Sequence, residues 1–208
     1  MSKELYFIRH GETDYNASGM VQGRGINSDL NALGRAQGAA FYEKYKNVPF
    51  DKIYTSSLKR THQTVKGFID AGLPWEQLSG LDELAWGELE GQPATEESIS
   101  AFRVLVEQWT SGDYDAKVPG GESPAEVALR MKEAMDIITS HTEEHTVLIC
   151  MHGRALRLLL CILTNKPLAQ MGDFPHQNTT LYRLSYQDGI FTILDFNNTD
   201  HLKSIDVE

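Results

Sequence analysis

Cysteine is scarce in this chain: only Cys150 and Cys161 occur among 208 residues. Each falls in an apolar run, one read as a strand and the other as a helix. That usage fits two small apolar residues in a reducing compartment and argues against a disulfide scaffold. No stretch has the length of apolar sequence needed to cross a bilayer, and the first four residues lead into a strand-like run with no leader-type apolar region. The expectation is a cytoplasmic protein without membrane contact. Positive charge is also short, with 19 Lys and Arg against 29 Asp and Glu and a net charge of -10. Such a surface disfavours nucleic acid but leaves room for a local basic pocket that takes a small anion. With 41% hydrophobic residues, one sizeable core is affordable, and a single domain over residues 1–208 is expected, as monomer or homodimer.

What the chain does have is a repeated local arrangement. Residues 5–8 are apolar, aromatic and β-branched, as in a buried strand, and they run into Arg9-His10-Gly11-Glu12-Thr13. Residues 146–151 form a second such run, followed by His152-Gly153 and a helical stretch over 154–163. If the two strands are parallel neighbours, both imidazoles project from one sheet edge into one crevice, where open α/β sheets hold ligands. Arg9 offers a planar fork of donors for phosphate or carboxylate, and a histidine can be neutral and nucleophilic near pH 7. Phosphoryl chemistry follows from that pairing: one ring to attack, the other to hold charge.

Further along come Asn16, Gln22-Gly23, the segment Thr55-Ser56-Ser57-Leu58-Lys59-Arg60-Thr61, Glu83 with Trp86-Gly87 and Leu89-Glu90-Gly91, and Gly120-Gly121-Glu122-Ser123. In this order, over nearly the whole chain, these motifs resemble those of the histidine phosphatase superfamily, also called the phosphoglycerate mutase-like family. The chain departs from the family pattern at Asn27, where members commonly have aspartate, and its first loop looks one residue longer. The fold expected is a three-layer α/β/α sandwich, with a mostly parallel central sheet, helices on both faces and a C-terminal antiparallel hairpin. Composition alone leaves Asp82, Glu83, Glu88 and Glu90 equal as candidate acids. The resemblance selects Glu83 by its spacing from the aromatic-Gly pair.

Local signals supply the rest. Residues 14–31 read as a loop in which Asn16 and Gln22 offer amides, and Gly23 an open backbone N–H, to a phosphate. Asn31 reads as the N-cap of a helix to about Lys46, with Leu33, Ala36, Ala40 and Phe41 toward a core. Residues 51–55 read as a strand, and Ser56 or Ser57 as the cap of a helix that carries Arg60 in its first turn. His62 is assigned to the surface of that helix. Residues 95–110 place Ile99, Phe102, Leu105, Val106 and Trp109 at helical spacing. The 95–120 region caps the active-site mouth in relatives. Ser123-Pro124-Ala125-Glu126 is a capping box that launches a helix to about Ser140. His141-Thr142-Glu143-Glu144-His145 spells a zinc-peptidase motif, but a strand follows at once and leaves no helix to hold both histidines, so no metal is expected. His176 and Asn178 are read as plain turn residues. Asp188-Gly189 marks a two-residue hairpin, and the last dozen residues are read as weakly ordered.

The chemistry implied is covalent and needs no cofactor. His10 attacks phosphorus; Arg9, Arg60, His152 and Asn16 hold the other oxygens, with Gln22, Gly23 and Gly153 alongside; Glu83 protonates the departing alcohol. The substrate expected is a small phosphorylated metabolite. Mutases of this family grip a substrate carboxylate with adjacent arginines in a longer insert, whereas this chain offers only Arg103 and Lys117 there, so hydrolysis is expected over mutase activity. A phosphate-binding or regulatory module of the same fold is the remaining alternative.

Overall fold

The two apolar runs are the middle of the molecule. In the computed structural model, which describes residues 2–93 and 95–205, they are β1 (Ser2–Arg9) and β4 (Thr146–Met151). They pair in parallel, with Arg9 opposite Met151. Around them lie β2 (Lys52–Thr55), β3 (Trp75–Gln77), β5 (Leu181–Gln187) and β6 (Ile190–Asn198), in the sheet order β3-β2-β4-β1-β5-β6. Three pairings are parallel, and β1–β5 and β5–β6 are antiparallel. Asp188 and Gly189 close the last hairpin with φ of 51° and 84°. A positive φ at both positions is the turn whose twist matches the flanking strands.

The helices are α1 (Asp14–Ala17), α2 (Ala32–Tyr45), α3 (Lys59–Thr64), α4 (Lys66–Asp70), α5 (Glu96–Thr110), α6 (Pro124–Ser140) and α7 (Gly153–Leu163). Alternate residues of the central strands face opposite layers, so both strands must be apolar throughout. Leu5, Phe7, Val147, Ile149 and Met151 join Trp109, Met131 and Leu156 of α5, α6 and α7. Tyr6, Ile8, Leu148 and Cys150 join Phe41 of α2 and Phe68 of α4. This is the three-layer α/β/α arrangement, and Cys150 and Cys161 are buried, free thiols within it.

The capping box of α6 forms as written in the sequence, with Ser123 accepting from the Glu126 N–H and Glu126 from the Ser123 N–H. Its buried face is Val127, Met131, Ala134, Met135 and Ile138. Helix α2 starts at the expected cap, where Asn31 accepts from the Gly34 N–H at 2.8 Å. Its inward face is corrected, however. Leu33, Ala36 and Ala40 are not buried; Gly34, Gln37, Gly38 and Phe41 are. The reason is that α2 packs on backbone: a Cβ on Gly34 would stand 2.0 Å from the Glu12 carbonyl oxygen, and one on Gly38 2.6 Å from that of Thr64. Apolar periodicity does not register such a face.

Other readings shift as well. The loop at 14–31 holds the single turn α1, and β3 adds an edge strand. Helix α3 is capped at Leu58 rather than at Ser56 or Ser57, and the Lys59 N–H is satisfied from outside by Asn27 Oδ1 at 2.8 Å. On α5, Ile99 is 47% exposed, while Leu105 and Trp109 are buried. The tail is anchored through residue 205: a short 3-10 helix over Asp200–Ser204 buries His201 against Phe41, with ring centroids 5.2 Å apart. Residues 206–208 lie outside the described residues. Helix α6 ends at Ser140, and His141 is already extended. The nearby donors of His141, Glu143 and Glu144 lie within 4.8 Å of one another, but both Glu144 oxygens accept from the Tyr54 hydroxyl. No helix among the described residues is long and apolar enough to cross a membrane.

Candidate active site

Parallel pairing of β1 and β4 brings their carboxyl ends together, and with them His10 and His152, whose ring centroids are 5.2 Å apart. Both rings are nearly withdrawn from solvent, at 3% and 0% exposure. His10 Nδ1 lies 2.7 Å from the Gly11 carbonyl oxygen. That oxygen can only accept, so Nδ1 carries the proton and Nε2 keeps its lone pair. Burial, then the nearby Arg60 and Arg9, hold the His10 pKa well below the ordinary histidine value. A neutral imidazole with a free Nε2 is the form a nucleophile requires.

His152 is oriented the other way. Arg60 Nε donates to its Nδ1 at 3.2 Å, which leaves the proton on Nε2, 2.7 Å from Ser56 Oγ. Burial, then Arg60 and His10, depress its pKa also. Both nitrogens therefore have partners within the protein, Arg60 at Nδ1 and Ser56 at Nε2. Arg60 itself is fully buried. Its other bonds go to the carbonyls of Ile26 (2.6 Å) and Gly23 (3.2 Å). Three of its five N–H donors are thus used and two are left among the described residues.

Arg9 supplies the clearest open valence. Its Nη1 bonds His176 Nδ1 at 3.0 Å, while its Nε is buried without a partner among the described residues. Burial lowers its pKa, against the opposing pull of Glu83 and Glu12. Gly153 is small because these groups pass over it: a Cβ there would meet His176 Cε1 at 2.7 Å and Arg9 Nε at 3.2 Å. Asn16 is held by its carbonyl end, which accepts from the Thr13 N–H (3.3 Å) and from Asn178 Nδ2 (3.1 Å), so its amide N–H donors stay available. The Gln22 amide accepts from the Thr13 hydroxyl and donates to Ser28 Oγ, bracing the loop. Gly23 lets the loop approach Glu90, whose Oε1 would be 2.2 Å from a Cβ.

Geometry also separates the four acidic candidates. Asp82 is taken up by Ser57 and Arg24, and Glu90 accepts from the Trp86 N–H. Glu88 has no side-chain partner among the described residues. Glu83 alone meets the start of α7, accepting from the N–H groups of Arg154 (3.1 Å) and Ala155 (2.9 Å) as well as Leu84 (2.9 Å). A carboxylate at a helix N-terminus is favourably placed, and this one stands directly behind His152.

Two residues read as plain turn are part of the site. His176 holds Arg9, and burial followed by Arg9, Arg157 and Arg154 pushes its pKa down to about 3. Asn178 Nδ2 also bonds the His10 carbonyl at 3.1 Å. No local pattern marks either one, because the partners lie more than 160 positions away. His62 stays on the outer side of α3 against Trp75.

Paired histidines and arginines thus stand at the carboxyl edge of a mostly parallel sheet. The model of the histidine phosphatase superfamily (branch 1) matches residues 5–199, and the chain belongs to that family. It is 34% identical over 190 residues to a Yersinia enterocolitica protein named "Probable phosphoglycerate mutase GpmB", covering 89% of this chain and 86% of that one. Among solved structures, Bacillus stearothermophilus YhfR superposes with a TM-score of 0.84 at 26% identity, over 96% of this chain and 99% of that one. The mycobacterial glucosyl-3-phosphoglycerate phosphatase Rv2419c, solved with VO3, gives 0.82 at 25% identity over 95% and 100%.

Proposed function

We propose that the protein is a phosphatase that hydrolyses a small phosphorylated metabolite through a phosphohistidine. The observation that carries this reading is the buried Arg9 Nε, without a partner among the described residues, beside a neutral His10 whose Nε2 bears the free lone pair. A buried donor without an acceptor is costly unless a ligand supplies one, and a phosphate oxygen is the acceptor that two arginines and Asn16 would share. In the first step His10 Nε2 forms a bond to phosphorus and the P–O bond to the leaving group breaks. Glu83 acts as the general acid to that oxygen. In the second, water adds to phosphorus, its proton passes to Glu83, and the P–N bond breaks. Arg9 and Arg60 neutralise the equatorial oxygens, and His152 sets the orientation of Arg60.

Hydrolysis is favoured over phosphoryl return by the region that serves carboxylate binding in the family's mutases: Lys117 is exposed and paired with Glu126 at 2.6 Å, and Arg103 is exposed on α5. The relatedness to a protein named as a probable phosphoglycerate mutase sustains mutase activity as the second reading. Incubation with 3-phosphoglycerate separates them, since free phosphate appearing faster than 2-phosphoglycerate supports the phosphatase and the reverse order supports the mutase. His10→Ala is expected to lower p-nitrophenyl phosphate turnover by more than about 10³-fold, the scale of losing a covalent nucleophile. Parent protein that is inert over a broad pH range and substrate panel would instead indicate a binding module.

A further inference from the structure

Glu83 stands on a stretch of chain with no ladder of its own. A 3-10 turn ends at Leu81 and another starts at Gly87, and among the described residues the one sheet-type bridge between them joins Trp86 to Gly121. The carbonyls of such a segment need donors from elsewhere, because a buried acceptor without one is costly. Arg130, on α6, supplies them. Its Nη1 donates to the Gly80 and Asp82 carbonyls, both at 2.9 Å, and its Nη2 to the Glu83 carbonyl at 3.1 Å. Its Nε and Nη2 also grip the two oxygens of Glu122, each at 2.9 Å. All five N–H groups of this guanidinium are thus committed, and none is left for a substrate oxygen.

Glu122 holds the chain on the far side of Glu83. Its Oε2 accepts from the Ala85 N–H at 2.9 Å, and its own N–H donates to the Ala85 carbonyl at 2.8 Å. Burial opposes the Glu122 charge, but the bonds from Arg130 and Ala85 outweigh it and hold the carboxyl below its ordinary value. The Arg130 and Glu122 side chains are only 14% and 18% exposed, so water and salt screen this pair far less than a surface one. Helix and loop also meet without slack: a Cβ on Gly80 would stand 2.6 Å from the Arg130 carbonyl oxygen. The capping box of α6 begins at Ser123, immediately after Glu122, and fixes that end of the helix.

Resting on the reading of Glu83 as general acid, we infer that Arg130 and Glu122 are positioning residues for that acid. They fix the backbone on both sides of Glu83, from which its carboxyl is aimed at the leaving oxygen, and neither touches the substrate. Proton transfer needs hydrogen-bond reach, so a small displacement of this backbone weakens it. Arg130→Lys keeps the charge but offers its donors from one point, which cannot span three carbonyls and a carboxylate. Glu122→Gln keeps the shape and removes the charge that Arg130 pairs with.

Two aryl esters separate the aiming of an acid from general support of the fold. Phenolate leaving phenyl phosphate needs a proton, whereas 2,4-dinitrophenolate leaves without one. Single-turnover release of the phenol reads the phosphoryl-transfer step alone. In Arg130→Lys and Glu122→Gln, release from phenyl phosphate is expected to fall by about 10²-fold and release from the dinitrophenyl ester by less than about threefold. Glu83→Gln calibrates the measurement by showing selectivity in the same direction. Selectivity in either folded variant supports the inference; equal losses on the two esters, or none, in every variant that folds overturn it while Glu83→Gln stays selective. If Glu83→Gln is itself unselective, the acid reading fails first and the positioning role falls with it. A parent protein that releases neither phenol removes the phosphatase reading and the inference together.

Discussion

The phosphate pocket and the mouth beside it are built on opposite terms. In the pocket most polar atoms are spoken for: His10 bonds the Gly11 carbonyl and Asn178, His152 bonds Arg60 and Ser56, and both rings are sealed from solvent. In the mouth, Ile99 and Val104 are 47% and 53% exposed, a cavity lined by Val21, Leu89 and Phe102 is apolar, and the Arg154 guanidinium sits on the rings of Trp86, Phe102 and Trp109. The contrast teaches that one half of the site is preorganised for an invariant group, with its few open donors defining where the phosphate goes. The other half leaves surface to be completed by whatever the phosphate is attached to.

That division can be broken most severely from the pocket side. Gly34→Val puts a side chain into the Glu12 backbone, on which the His10 loop rests through Gln37 and Asn31. A destabilisation of about 1–3 kcal/mol is expected from overpacking, with activity falling more than the loss of folded protein explains. Denaturant midpoints measured beside specific activity would check it, and a variant with both unchanged would mean the back wall is not rigid.

Acid should act on the pocket next. His10 and His152 are neutral in the folded protein because their pKa values lie well below 6.5, and that of His176 lies at about 3. Below pH 6.5 the unfolded chain binds protons that these buried rings refuse, so stability is lost as pH falls from 6.5, by up to about 1.4 kcal/mol per pH unit for each of His10 and His152. Urea unfolding between pH 7 and pH 4.5 measures that slope, and a flat profile would contradict the neutral, desolvated rings. The smallest effect is expected from the mouth: Ile99→Ser, at an exposed position, should change stability by no more than about 0.5 kcal/mol. It should alter KM for bulky apolar leaving groups while leaving the acid slope as it was.

Much of this was legible in the chain because the controlling contacts are short in sequence. A strand reads as a run, a capping box spans four residues, and a hairpin turn spans two, so β1, β4, α6 and the β5–β6 turn could be found without coordinates. The strand-His-Gly repeat placed His10 and His152 together, since parallel neighbours must end at the same edge. What stayed hidden depended on distance or on backbone. Helix α2 is buried through Gly34 and Gly38, whose signal is the absence of a side chain. His176 gains its meaning only from Arg9, 167 positions away, and Arg154 only from an aromatic cage gathered from the acid loop and α5. The sequence by itself determined the family, the layered sheet and the pair of imidazoles. Tertiary structure alone decided which ring nitrogen is free, which donor lacks a partner and what faces the leaving group. Those are properties of packing between remote segments, where hydrogen-bond partners and burial arise only once the layers have closed on the sheet.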